Sequence, residues 1–174
     1  YGGIIMAINF GNNVSQDFPS TILQVQNANT DVSAYTNGAD VTVISQSITP
    51  KAASSRILIL FRFNVSVSQD SYGGFNIYRD STVIGKSGQQ YTGGNSSQYF
   101  GAFNNRDVDA PWEAELCTGP YLDHPNTTSA ITYYIKMRKD FGTDVRSNRP
   151  NNTYDMAYSW NTMATLSLLE VEWN

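Results

Sequence analysis

Apolar and polar residues alternate with a period of two along much of this chain. The clearest stretch is Arg56–Val67. Ile57, Ile59, Phe61, Phe63, Val65 and Val67 fall on one side, and Leu58, Leu60, Arg62, Asn64 and Ser66 on the other. That period predicts a β-strand with one face in a core. The opposite face is apolar at Leu58 and Leu60 before turning polar. A strand apolar on both faces at one end needs cover there, from another sheet, a chain terminus or a neighbouring subunit.

Further strands are predicted at Ile22–Asn27, Val41–Ile48, Gly74–Arg79, Ser97–Phe103, Trp112–Cys117, Ile131–Arg138 and Met163–Trp173. In the last, Leu166 and Leu168 share one parity, whereas Leu169, Val171 and Trp173 share the other. This predicts a β-bulge or a strand buried on both sides, with a fray at the C-terminus as the alternative. Clusters such as Asn37-Gly38, Thr49-Pro50, Gly73-Gly74, Gly93-Gly94-Asn95 and Asn148–Asn152 separate the runs and carry turn chemistry. No helical period of any length occurs. Roughly eight short strands with loops of varied length predict an all-β fold, a two-sheet antiparallel β-sandwich of jelly-roll type. Gly85–Ser96 and Asp140–Asn152 are expected to be long loops, where binding residues tend to sit. Residues 1–18 are expected to form an N-terminal arm or stalk junction, and 19–174 a single jelly-roll domain.

Composition narrows the function. The 174 residues are 40% hydrophobic but only 15% charged, so Asn, Ser, Thr, Gln and Tyr supply the polar surface. With net charge −4, and Asp140 directly after the densest basic run (Lys136, Arg138, Lys139), nothing tracks a phosphate backbone. No nucleic-acid partner is expected. The longest apolar runs are about five residues, against roughly 20 for a membrane helix. Ile4–Ile8 is also too short for a signal-peptide core and lacks a basic leader. The single cysteine, Cys117, forms no intrachain disulfide or zinc cluster and is expected as a buried small hydrophobe on a strand.

Candidate chemistry is sparse. His124, in Tyr121-Leu122-Asp123-His124-Pro125, is the only histidine a catalytic triad could use, and no nucleophile-elbow motif accompanies it. Asp107, Asp109, Glu113 and Glu115 form the densest acidic group. Asp107-Val108-Asp109 lacks the glycine and terminal glutamate of an EF-hand loop. Glu113 and Glu115 share the wet face of a predicted strand. Gly73-Gly74 and Gly93-Gly94 lack the lysine of a phosphate loop and read as turns. No enzyme activity, metal or cofactor is expected. Aromatic residues in or near loops are the stronger signal: Tyr72, Tyr91, Tyr99, Trp112, Tyr121, Tyr154, Tyr158 and Trp160. Such rings stack on sugars and anchor protein interfaces, and equally fill cores and sheet edges.

Four segments, in order, carry a resemblance: Ser47-Ile48-Thr49-Pro50 with Ser54-Ser55-Arg56-Ile57-Leu58-Ile59; Phe75–Gly85, with Arg79-Asp80-Ser81-Thr82 at its turn; Tyr121-Leu122-Asp123-His124-Pro125 with Thr128–Arg138; and Ala164–Val171. Together they span roughly Ile22 to Trp173 and resemble a family of tailed-bacteriophage virion proteins. The resemblance implies a jelly-roll domain of a tail fibre or other surface protein, often trimeric, in contact with other virion proteins. Two roles follow as expectations. One is a tail-fibre or receptor-binding module that holds a host glycan or protein, with Tyr91, Tyr99, Trp112, Tyr121 and His124 as contact residues. The other is a capsid-decoration protein. In a homotrimer, Leu58, Leu60 and Trp173 are the expected subunit contacts. The expected location is the virion, assembled in the host cytoplasm.

Overall fold

The structure, a computed structural model, describes residues 21–68, 70–86, 98–105, 114–149 and 161–173. The expected N-terminal arm lies outside them. Eleven strands form among the described residues: β1 (Ile22–Thr30), β2 (Tyr35–Thr36), β3 (Val41–Ile48), β4 (Arg56–Val67), β5 (Ser71–Arg79), β6 (Thr82–Gly85), β7 (Gly101–Asn105), β8 (Glu115–Asp123), β9 (Ile131–Phe141), β10 (Val145–Ser147) and β11 (Ala164–Val171). They make two antiparallel sheets packed face to face. The long strands of the first run β1-β11-β4-β8 and those of the second β3-β9-β5-β7. Taken in chain order, the eight long strands change sheet at every step except β5 to β7, which is the double Greek key of a jelly roll. The eight long strands match the expected number. The other three, β2, β6 and β10, are too short to show a period.

Parity places the core. Ile57, Ile59, Phe61, Phe63 and Val65 of β4 point inward and meet Phe75 and Ile77 of β5, Tyr133, Ile135 and Met137 of β9, and Leu166 and Leu168 of β11. The rings of Phe61 and Phe63 both meet Phe75 edge-on, with centroids 5.6 and 5.2 Å apart. Such geometry adds roughly 0.5–1.5 kcal/mol per pair beyond burial.

Several expectations change. β8 begins at Glu115 and continues through Pro120 to Asp123, where a loop was expected. Proline is tolerated there because, among the described residues, β8 pairs on one side only, as an edge strand does. Asp140–Asn152 is not one long loop: β9 reaches Phe141, and β10 returns along β4 at Val65–Val67. β11 carries no bulge. Its pairing with β4 is regular, and the irregularity lies in β1 around Leu23. Glu170, not an apolar residue, takes the inward position after Leu168.

Gly73-Gly74 is not a turn but lies within β5. A Cβ on Gly73 would strike the Arg138 carbonyl, and one on Gly74 the Tyr99 ring. The glycines permit close approach of the backbone. The hairpin turn at Asp80-Ser81 forms as expected, with Arg79 opposite Thr82. Asp80 adopts φ 52°, a left-handed conformation that Asp tolerates better than most residues.

Candidate functional site

Strand register brings apolar side chains together on the outer face of the first sheet. Val25 of β1 pairs with Leu169 of β11, Leu169 with Leu58 of β4, and Leu58 with Leu122 of β8. One apolar row therefore crosses all four strands. Leu60 and Pro120 pair in the next row. On the other side Val171 pairs with both Ile22 and Arg56, and the Arg56 guanidinium lies 5.0 Å above the Trp173 ring. These residues point outward because their neighbours of opposite parity fill the core. Val25, Leu60, Leu122 and Trp173 stay 47%, 40%, 46% and 38% exposed. Among the described residues no element covers this face. Leu58, Leu60 and Trp173, singled out in the sequence, share it. Val25, Leu122 and Leu169 were not singled out. Leu122 lay in an expected loop, and only register reveals its place beside Leu58.

The outer face of the second sheet is aromatic and polar. Tyr78 of β5 pairs with Tyr134 of β9, and Lys136 Nζ sits 4.5 and 5.0 Å from their ring centroids. The Tyr78 hydroxyl donates to Asp40 Oδ2 at 2.6 Å, and burial with this acceptor pushes its pKa up to about 12. The Tyr99 hydroxyl donates to Asp140 Oδ1 at 2.7 Å, and Arg138 Nε lies 3.6 Å from the same oxygen. Tyr72 and Phe141, both exposed, stack at 5.5 Å with an interplanar angle of 16°. The basic run of the sequence thus loses its cluster character: Lys136 is taken by rings, Arg138 by Asp140, and Lys139 Nζ by the Gly142 and Thr143 carbonyls at 2.7 and 3.0 Å.

The remaining contact candidates are dispersed. Tyr91 and Trp112 lie outside the described residues, as do Asp107, Asp109 and Glu113. Tyr99 is half-buried on the second sheet. Tyr121 is on the inward side of β8, against Phe100, and its hydroxyl donates to the Ile84 carbonyl at 2.6 Å. Its role there is packing. His124 follows β8 and is half-buried, and its carbonyl accepts from Arg79 at 3.4 Å.

Two buried carboxylates flank Ile57 on the inner face. Glu170 pairs with Ile57 from β11, and Asp123 from β8. Arg79 Nη1 reaches Asp123 at 2.8 and 3.1 Å, and the Tyr133 hydroxyl donates to it at 2.7 Å. Since Arg79 and Tyr133 belong to the second sheet, Asp123 ties the sheets together. Burial, joined by the Asp123 contact, pushes the Tyr133 pKa far up. Glu170 accepts from Gln24 Nε2 at 2.6 Å and from the Lys51 amide at 2.7 Å. Burial acts to raise its pKa, but these hydrogen bonds, together with Ser55 and the Ala52 backbone, outweigh it and hold the carboxyl below its ordinary value. Both oxygens of each carboxylate are engaged by structural partners. Burial also pushes the Cys117 thiol up to about 12, so it sits as a protonated hydrophobe, as expected. No group of three metal-ligating side chains occurs among the described residues.

No family model matches the chain, and no curated protein matches it. Among solved structures it is similar to a chain in a structure of infectious bursal disease virus, Gx strain. The TM-score is 0.39 and the identity 12%, with 98% of this chain covered. The chain spans about 46% of the length of that neighbour.

Proposed function

We propose that this chain is a virion structural module, working as a tail-fibre or receptor-binding domain of a tailed bacteriophage. It acts without catalysis, by assembling with copies of itself and by presenting its other surfaces to a host. The observation that carries this reading is the apolar row Val25-Leu169-Leu58-Leu122 on the outer face of the first sheet. A leucine left about half exposed forgoes about 1 kcal/mol of burial, at roughly 25 cal/mol per Å² of apolar surface. Burying such a row against neighbouring copies recovers that stabilisation. The four ordered motifs support the phage association, and they support three copies as the stoichiometry. The tyrosine-rich outer face of the second sheet suits a host glycan or protein, because tyrosine offers apolar area with a polar tip.

The assembly half is tested by Leu60→Ser with Leu122→Ser. These are exposed positions, so the fold is expected to hold while the trimer dissociates in sedimentation experiments. An unchanged assembly state in the double variant rejects this face as the contact. The role is tested by antibody labelling of phage particles under the electron microscope. Label at fibre tips, with purified protein competing for adsorption to host cells, is the expected result. Label spread over the head without competition assigns the protein to capsid decoration.

A further inference from the structure

The two lateral sides of the sandwich are built differently. On one side the edge strands are β8 in the first sheet and β6 with β7 in the second. β8 contains Glu115, Pro120 and Asp123, and β6 is four residues long. Charge, proline and shortness are the usual guards of a sheet edge, whose unpaired N–H and C=O groups otherwise recruit another strand. On the other side the edges are β1, with the two-residue β2 beyond its end, and β3; β1 and β3 pack against each other across the sandwich. β1 is nine residues, ILQVQNANT, and β3 is eight, VTVISQSI. Neither contains a charge or a proline. Asp31 and Asp40 stand just outside them, and Lys51 Nζ caps only the Leu23 carbonyl, at 2.6 Å. Among the described residues no strand pairs with the outer edge of either.

We propose that this unguarded side joins a second copy of the chain, β1 pairing antiparallel with β1 across a two-fold axis. The backbone demands a strand as occupant. The side chains favour a like strand: Gln24, Gln26, Asn27 and Asn29 are uncharged amides that donate and accept, so self-pairing brings no like charges together. A two-fold contact needs a self-complementary patch of this kind. The same operator brings the two β3 strands to the junction, so that both sheets continue from copy to copy. Val25 carries the apolar row as far as this edge. This contact is distinct from the outer-face contact proposed above and does not depend on it.

The experiment uses the full chain carrying Leu60→Ser and Leu122→Ser, which removes the outer-face contact. Sedimentation of this background at tens of micromolar is expected to show a dimer, in the usual range for modest interfaces. Adding Asn27→Lys with Asn29→Lys, both at exposed positions of β1, is expected to weaken the dimer by roughly tenfold or more through like-charge juxtaposition. Asn27→Asp with Asn29→Asp is expected to do the same. Mixing the Lys and Asp forms is expected to restore association as a heterodimer, with thermal unfolding of each form unchanged. A monomeric background protein overturns the proposal. So does a dimer indifferent to charge at positions 27 and 29. Equal assembly of the wild-type chain and the Leu60/Leu122 variant instead overturns the outer-face contact, so the two failures are told apart.

Discussion

Glu170 occupies an inward position of β11 where alternation would place a third leucine after Leu166 and Leu168. A buried carboxylate persists only when its oxygens are matched, and this one is held by Gln24 and the Lys51 amide. It fastens the β3–β4 connection onto the end of the first sheet. Its folded pKa lies below the ordinary value. The unfolded chain therefore binds the proton more readily on acidification. The stability Glu170 contributes is complete above about pH 4.5, near the unfolded value, and is lost as the pH falls through the folded value. Glu170→Gln is expected to cost about 1–3 kcal/mol at pH 7, because one strong acceptor is lost in a buried site. The variant is also expected to lose less further stability than the wild type between pH 5 and the acid limit. Urea unfolding across that range checks both. A wild-type acid slope retained in full by the variant would assign the linkage to another carboxylate.

At the level of elements, β5 shows how one local feature supports two readings. Two adjacent glycines carry turn chemistry in a sequence, and Gly73-Gly74 was expected as a turn. Their neighbours decide otherwise: the β9 backbone at Arg138 approaches Gly73, and the Tyr99 ring lies on Gly74. Neither contact is visible without the fold, since both partners are distant in sequence. Gly73→Ala is expected to destabilise by about 1–3 kcal/mol, the usual cost of forcing atoms into a packed site, because the obstacle is backbone and cannot swing aside. Gly38→Ala makes a useful contrast, since space is open around Gly38 and only its φ of 131° resists a side chain. Thermal melts of the two variants separate a steric cost from a conformational one. Equal wild-type stability in Gly73→Ala would mean that β5 and β9 shift apart at little cost. The bounds of β3 and β4 were legible to the residue: the period of β4 runs uninterrupted, and β3, whose register shifts at Val43, stops at the turn residues Thr49-Pro50. β8 was cut short because Pro120 and the small residues around it imitate a loop, and only its edge position makes proline acceptable.

Across the whole molecule, the sandwich was legible because alternation is a local property that eight strands repeat. The candidate site was legible only in part. Leu58 and Leu60 stand out as apolar residues on the wrong parity of a clear strand, but Val25, Leu122 and Leu169 join them through register, which composition does not encode. The aromatic contact candidates scattered for the same reason: Tyr121 looked like a loop residue and points instead toward the core. Cys117 offers a probe of whether this sandwich opens as one unit. It lies on the inner side of edge strand β8, opposite Phe63, with its thiol pushed up to about 12 by burial and then by Glu115. At pH 8 roughly one thiol in ten thousand is ionised in the folded state, so direct attack on a disulfide reagent is slow. Labelling is then expected to proceed through opening. If β8 leaves only when the whole core opens, the labelling rate in increasing urea gives the same free energy and slope as global unfolding. A rate that is fast and insensitive to urea would show that β8 detaches alone. That outcome would also mean that its proline and charges guard an edge that opens locally, rather than one fixed to β4.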